Sequence, residues 1–357
     1  METGGLSKRL VNVANKLIGH TTGGLGTATV VACMFFGAIS GSGPATTAAM
    51  GGILIPYMVK AKYDRTYATG LSAVAGGLGI IVPPSIPLVV YGVATNTSIG
   101  DLFLAGLGPA LVVGALLIIV NLAISHKQGY HGQGSFSWRE LGKALWDAKW
   151  ALFLPVIILG GIYGGVFTPT EAAVVAIFYS LFVGLFIYKE LKFADIWKIF
   201  YKNTTFVGGI MLTFAPAAAL GGVLALMGVP GALSSFLFSL TDNKIVVLLI
   251  VNVFLVFVGM VMDTTSANII FSPILLQALK PFGVDPIHFG LIMTINLAIG
   301  FVTPPVAGNL FVASGMTGIP MEKIAKKAMP LIIAMFAALL IVTYIPQVSL
   351  GILTLFR

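Results

Sequence analysis

A single cysteine, Cys33, is all the thiol chemistry this chain has, which excludes an internal disulfide and a cysteine-ligated metal cluster and leaves Cys33 as a small packing residue. Charge is equally scarce: Asp, Glu, Lys and Arg make up 9% of the 357 residues, against roughly 25% in a soluble domain. The four histidines, His20, His126, His131 and His288, are separated by loops and share no ligand spacing, so no histidine metal site is expected. No GxxxxGK(S/T) loop is present, which argues against ATP as a driving force. No set of nucleophile, base and acid points to an enzyme. The opening METGGLSKRLVNVANKLIGH is amphipathic and lacks the compact apolar stretch and small-residue cleavage site of a signal peptide.

What the chain has instead is apolar length. Hydrophobic residues make up 57% of it, and runs such as 102–124 and 327–345 are long enough to cross a bilayer as helices. The fold class this implies is an all-α polytopic membrane protein. Its 43 glycines and 18 prolines predict helices that break. In GLGIIVPPSIPLVVYG, residues 77–92, Pro83, Pro84 and Pro87 must open the backbone inside apolar sequence, because proline removes a donor and clashes with the preceding turn. Freed carbonyls at membrane depth need protein, water or an ion. The formal net charge of +8 is spread over short loops beside apolar spans, which fits membrane topology and not nucleic-acid binding.

An offset of 221 residues superimposes two parts of the chain without a gap over residues 36–124. Asp64 meets Asp285, Pro83-Pro84 meets Pro304-Pro305, and Pro109 meets Pro330. Each copy has the same order: an apolar run, a break of small polar residues (SGSGPATT, MDTTSAN), a second apolar run, a Pro-broken helix and a long helix. Repeats interrupted at matching places are the sequence signature of secondary transporters. The first three elements of each copy predict a re-entrant helical hairpin followed by a Pro-Pro-broken transmembrane helix.

With the first hairpin entering from the cytoplasm and the second from outside, 17 of the 20 basic residues fall on the cytoplasmic side; only Lys244, Lys280 and Arg357 do not. This layout makes the repeats inverted. Helices between 150 and 226 precede the second copy and have no counterpart before the first, so two or three further spans are expected upstream of residue 1.

The stretches FFGAISGSGPATTAAMGGILIPYM, GLGIIVPPSIPLVVYGVATNTSIGDLFLAGLGPA, GGVFTPTEAAVVAIFYS and GMVMDTTSANIIFSPILLQALKPFGVDPIHFGLIMTINLAIGFVTPPVAGNLFVASG, together with GGLSKRLVNVANKLIGH, resemble the large membrane subunit of the tripartite ATP-independent periplasmic (TRAP) transporters of the dicarboxylate and sialic-acid type. The resemblance implies a sodium-coupled, elevator-type importer of an organic anion in the bacterial inner membrane. It also implies two partners, a small membrane subunit and a periplasmic substrate-binding protein. Thr46 stands where many members carry an acidic residue.

Hard cations take several oxygen ligands, and unwound carbonyls supply them. One cation is therefore expected between Ser40, Gly41, Ser42 and Gly43 at the first tip and Gly79, Val82 and Pro83 at the first break. A second is expected between Asp263, Thr264 and Thr265 and Gly300, Val302 and Thr303; the glycines and prolines act through backbone oxygen. The bland alternative for each break is a packed kink. Asp263 is either an ion ligand or the cap of the second arm. Glu171, in TPTEAA, reads as a first-turn acid after a Thr-Pro helix start.

No Lys or Arg lies deep in a span, so the anion is expected at hairpin and half-helix N-termini. Ser42, Thr46, Thr47, Thr265, Ser266, Asn268 and Asn309 are the substrate candidates, with back-bonding to the previous turn as the alternative for each.

The chain divides into an amphipathic cytoplasmic-side segment (1–22), a first transport segment (23–97), scaffold helices and loops (98–243), a second transport segment (244–317) and a last scaffold helix with the C-terminus (318–357). Trp138 and Trp197 mark amphipathic loop segments, and with Trp146 and Trp150 they read as interface anchors. The competing readings are a single-component anion carrier without a binding protein and a passive channel subunit.

Overall fold

The computed structural model describes residues 5–132 and 136–356, and every regular element in them is helical. Residues 1–4 of the amphipathic segment and Arg357 lie outside the described residues. The first repeat runs α1 (Leu6–Ile18), α2 (Gly24–Ser40), α3 (Gly43–Lys60), α4 (Arg65–Gly76), α5 (Leu78–Ile81), α6 (Ile86–Thr95) and α7 (Ile99–Gln128). Then come α8 (Trp138–Tyr163), α9 (Pro169–Phe182) and α10 (Phe193–Leu226). The second repeat is α11 (Val229–Leu240), α12 (Lys244–Val261), α13 (Thr264–Leu279), α14 (Pro286–Gly300), α15 (Gly308–Thr317) and α16 (Met321–Tyr344), and a further helix, α17 (Gln347–Phe356), follows it. Seven segments among the described residues are long and apolar enough to cross a membrane.

The offset of 221 reappears in the caps. Ser42 starts α3 by accepting from Ala45 N at 3.4 Å, and its equivalent Asp263 starts α13 by accepting from Thr265 N and Ser266 N at 2.9 and 3.0 Å. Asp64 starts α4 through Tyr67 N at 2.8 Å, and its equivalent Asp285 starts α14 through Ile287 N and His288 N. These side chains satisfy first-turn donors that a helix leaves unpaired. Both breaks fall where the proline pairs stand, and both Pro-Pro bonds are cis. Glu171 closes a capping box with Thr168 ahead of Pro169, the structural role expected for it.

The pre-break helices form the centre of the molecule: every residue of α4 from Tyr67 to Gly76, and of α14 from His288 to Gly300, is buried. Cys33 is fully buried in the same core. The copies interlock across the repeat boundary, with α3 packing on α15 and α13 packing on α6. In contrast, α10 is exposed along most of its length, with Leu212 78% and Leu226 91% accessible. Trp138 and Trp197 do not lie on separate loop segments. They belong to the long helices α8 and α10: Ser137 caps Trp138 directly into α8, and α10 starts at Phe193, four residues before Trp197.

Buried polar bridges tie each repeat together. Tyr67 Oη donates to Asn121 Oδ1 at 3.0 Å, and Asn121 Nδ2 donates to Gly23 O at 3.0 Å and Thr27 Oγ1 at 3.2 Å, joining α4, α7 and α2. In the second repeat, His288 stands at Tyr67's place and lies 3.2 Å from Thr343 O, while Asn252 Nδ2 donates to Thr343 Oγ1 and Asn296 Nδ2 to Asn252 Oδ1. Hydrogen bonds between membrane helices contribute only about 0.6 kcal/mol each on average, and Asn121 makes three. Asn121→Ala should therefore cost about 2 kcal/mol, the upper part coming from the unpaired Tyr67 hydroxyl. Unfolding in detergent by sodium dodecyl sulfate titration measures this, with Asn243→Ala, at an exposed helix cap, as a milder comparison.

Candidate functional site

At the first tip, α2 ends in a left-handed Gly41 (φ 62°) and the next residue, Ser42, caps the start of α3. The tip is a compact set of oxygens: Ser40 Oγ and Thr46 Oγ1 lie 2.9 Å apart, and Thr46 Oγ1 also donates to Ser42 O at 2.7 Å. It sits on the break itself. Ile86 N donates to Gly41 O at 3.2 Å, and a Cβ placed on Gly79 would lie 2.6 Å from Ser42 O. The absence of a side chain at residue 79 is thus what lets α5 lie against the tip. Ser85 Oγ turns back to Ile80 O, closing part of the opened backbone and capping α6. Ser40, Gly41, Ser42 and Gly79 are thus close together, whereas Val82 N bonds back to Leu78 O and the Pro83 ring lies towards Gly106 of α7. A cavity of about 270 Å³ borders the tip at Ser40, Gly41, Pro84 and Ser85 and is lined on the other side by Ile158, Pro169 and Ala176 of α8 and α9.

At the second break the contact is made differently. Residues 301–307 join α14 to α15, whose start at Ala307 is left-handed (φ 42°). Val306 N donates to Met260 O at 3.1 Å, and a Cβ on Gly300 would lie 2.5 Å from the Gly259 Cα. The break therefore rests on the end of α12. No hydrogen bond among the described residues joins Asp263, Thr264 or Thr265 to Gly300, Val302 or Thr303. Thr303 Oγ1 donates to Ile299 O at 2.8 Å, within its own helix end. Asp263 is exposed and uses Oδ1 as the cap of α13.

The substrate candidates separate in the same way. Thr46 is buried and bonded to the previous turn. Thr47 is buried against Gly76, with no partner for its hydroxyl among the described residues. Thr265 and Ser266 are half-buried in the first turn of α13. Asn268 Nδ2 bonds to Thr264 O at 2.8 Å, leaving Oδ1 unpartnered, and the Ser272 hydroxyl closes on Asn268 O. Asn309 is the one that crosses between copies. It is fully buried, Nδ2 donates to Ala73 O at the end of α4, and Oδ1 has no partner and lies 2.9 Å from where a Gly43 Cβ would stand. A buried, unpaired carboxamide oxygen facing the first tip adds a fourth kind of oxygen to serine hydroxyl, threonine hydroxyl and peptide carbonyl. The oxygens gathered there suit a hard monovalent cation, which wants neutral oxygen ligands in number.

The bridges built by Tyr67, Asn121, Asn252, Asn296 and Thr343, and the pairing of α3 with α15, join residues too far apart in the chain to be legible from local sequence. The local signal was present in the equivalence of Tyr67 and His288 under the 221 offset, but their partners lie far away in the chain.

Two copies of one helical motif, each with a broken central helix seated on a helix-turn-helix tip, define a multi-pass membrane transport protein. Residues 1–348 match the model of the family described as tripartite ATP-independent periplasmic transporter, DctM component. The chain is 42% identical over 352 residues to the C4-dicarboxylate TRAP transporter large permease protein DctM of Pseudomonas aeruginosa, covering 99% of this chain and 82% of that protein. It is 36% identical over 356 residues to the sialic acid TRAP transporter large permease protein SiaM of Vibrio cholerae, covering 100% of this chain and 83% of that one. Identity is 44% over 351 residues to the isethionate TRAP transporter permease protein DctMQ of Oleidesulfovibrio alaskensis, where 98% of this chain spans 55% of the relative's length. The chain belongs to the DctM family of TRAP transporter large permease subunits, multi-pass proteins of the bacterial inner membrane.

Proposed function

We propose that the chain is the membrane subunit of a sodium-coupled importer of a small organic anion, of the C4-dicarboxylate or sialic-acid class, delivered by a periplasmic binding protein and assembled with a small membrane subunit. The observation that carries this reading is the pair of helix breaks, each hydrogen-bonded to the end of a hairpin arm, Ile86 N to Gly41 O and Val306 N to Met260 O. The hairpins are re-entrant and enter from opposite faces. Sodium occupies the first tip between Ser40, Ser42, Thr46 and the peptide oxygens near Gly79 and Val82. A second ion lies by Asp263, Thr264, Thr265 and the Gly300–Thr303 carbonyls. The anion meets the first turns of α3 and α13, while Asn309 reaches in from the second copy and turns its unpartnered Oδ1 to the first ion. Occupation of the ion sites and of the anion site is reciprocal, as linkage requires.

The moving body of the elevator contains both hairpins and both broken helices. We also place α7 and α16 in it, where sequence alone suggested scaffold. Asn121 bonds α7 to α2 and α4, and Thr343 bonds α16 to α12 and α14, so separating them would strand buried polar groups. The scaffold is α8 to α11.

The test is uptake of labelled anion into proteoliposomes holding the full transporter and its binding protein. Dissipating the sodium gradient should stop accumulation, and Asp263→Asn should raise the sodium concentration for half-maximal uptake severalfold. Asn caps as well as Asp, so this variant removes the charge and keeps the helix start. Undiminished uptake without sodium, or an unchanged sodium requirement in both Asp263→Asn and Ser42→Ala at equal abundance, overturns the site assignment.

A further inference from the structure

We propose that the cleft between α1 and α3 binds the phosphate headgroup of an anionic phospholipid. The cleft encloses about 430 Å³. One wall is a face of α1, where Lys8, Asn12 and Asn15 stand at helical spacing; the other is the end of α3, with Tyr57 and Lys60. No carboxylate lines it. The acids around α1 are taken by other cations: Arg9 pairs with Glu190 at 2.7 Å and with Asp147 at 3.5 Å, and Lys16 pairs with Glu140 at 2.6 Å. Among the described residues, neither Lys8 nor Lys60 has a carboxylate within 4 Å. Two lysines, two carboxamides and a phenol lining one cleft make a donor set for a phosphate diester.

The apolar part of the cleft favours a lipid over a free ion. Ile53 and Pro56 lie on the same wall, Tyr57 is 54% exposed, and Gly52 keeps the floor open, since a Cβ there would meet only Met316 Cε at 3.7 Å. Across Gly52, Pro56 and Lys60 the cleft shares its wall with a second one of about 350 Å³, lined by Val59, Arg65 and Met316. A headgroup between Lys8 and Lys60 would let its glycerol and acyl chains run along this strip. Basic residues beside membrane helices attract anionic lipid in general; a cleft whose shape a neutral substitution can fill distinguishes a built site from that background. Binding is read without uptake, so the proposal stands apart from the transport reading.

The experiment titrates the purified full chain, with any subunits that copurify, with short-chain phosphatidylglycerol, with phosphatidylcholine of the same chain length, and with sodium phosphate, counting bound lipid by native mass spectrometry. Phosphatidylglycerol should bind, and neither of the other two should displace it at equal concentration. Lys8→Gln with Lys60→Gln should weaken binding roughly tenfold or more, and Gly52→Leu, which alters no charge, should weaken it likewise. Lys8→Arg with Lys60→Arg should keep it. The exposed pair Lys198→Gln with Lys202→Gln on α10 should leave it within roughly twofold. Equal losses in both glutamine pairs, undiminished binding in Gly52→Leu, or displacement by inorganic phosphate overturns the proposal.

Discussion

Uptake should be lost when Gly300 is replaced by alanine, although the change adds one methyl group. That methyl would stand 2.5 Å from the Gly259 Cα, an atom of backbone that cannot turn aside as a side chain can. Overpacking a tight core costs about 1–3 kcal/mol where neighbours can shift, and here they belong to the helix ends that form the second break. The first copy has the same vulnerability at Gly79, whose added methyl would press on Ser42 O at 2.6 Å. Each change should lower initial uptake by more than about tenfold, since 1.4 kcal/mol is already a factor of ten. Gly315→Ala supplies the contrast: it lies inside α15 with nothing within 4 Å of its new Cβ, and alanine favours helix. Initial rates at matched membrane abundance decide the matter. Normal rates in Gly300→Ala would mean that α12 and α14 are free to separate there.

Asn309→Ala should be nearly as damaging, for a different reason. Nothing clashes; a bridge between copies disappears. Ala73 O, one of the last carbonyls of α4, loses its donor at 3.1 Å, and the oxygen that faces Gly43 is removed with it. Leaving one buried acceptor unsatisfied costs about 1–3 kcal/mol, or roughly five- to hundredfold in an equilibrium constant. The loss should be larger at limiting sodium than at saturating sodium, because the missing oxygen belongs to the first cation site in the proposed mechanism. Uptake rates measured across sodium concentrations, beside the thermal midpoint of the purified protein, separate this from general destabilisation. A wild-type sodium curve would take Asn309 out of the site.

What the chain writes locally could be read from it. Proline pairs, helix-capping Ser and Asp, and the small residues of the tips act on their own few neighbours, so the 221 offset placed the starts of α3 and α13, and of α4 and α14, in register. Asn309 was found because it is a polar residue next to a break. Asp263 had two readings, and the capping one is present in the structure without excluding the other. The rest depends on distance. Asn121 bonds to residues 54, 94 and 98 positions away, and nothing in the residues around it indicates a partner. Within the segment 318–357 the separate helix α17 has no local mark, being ten residues long with no acidic start or basic end. The Trp-containing segments at the starts of α8 and α10 carry charges that read as loops, yet they are the opening turns of those helices.

The crossed packing of α3 on α15 and of α13 on α6 bears on how the molecule is made. When the ribosome has released the first copy, one flank of α3 still has no protein to rest on, and the surface that will cover it has yet to be translated. The early half must therefore wait in the bilayer, or in the care of the insertion machinery, in an unfinished state. The contacts of α3 with α15 and of α6 with α13 need both halves, so each half seals the other.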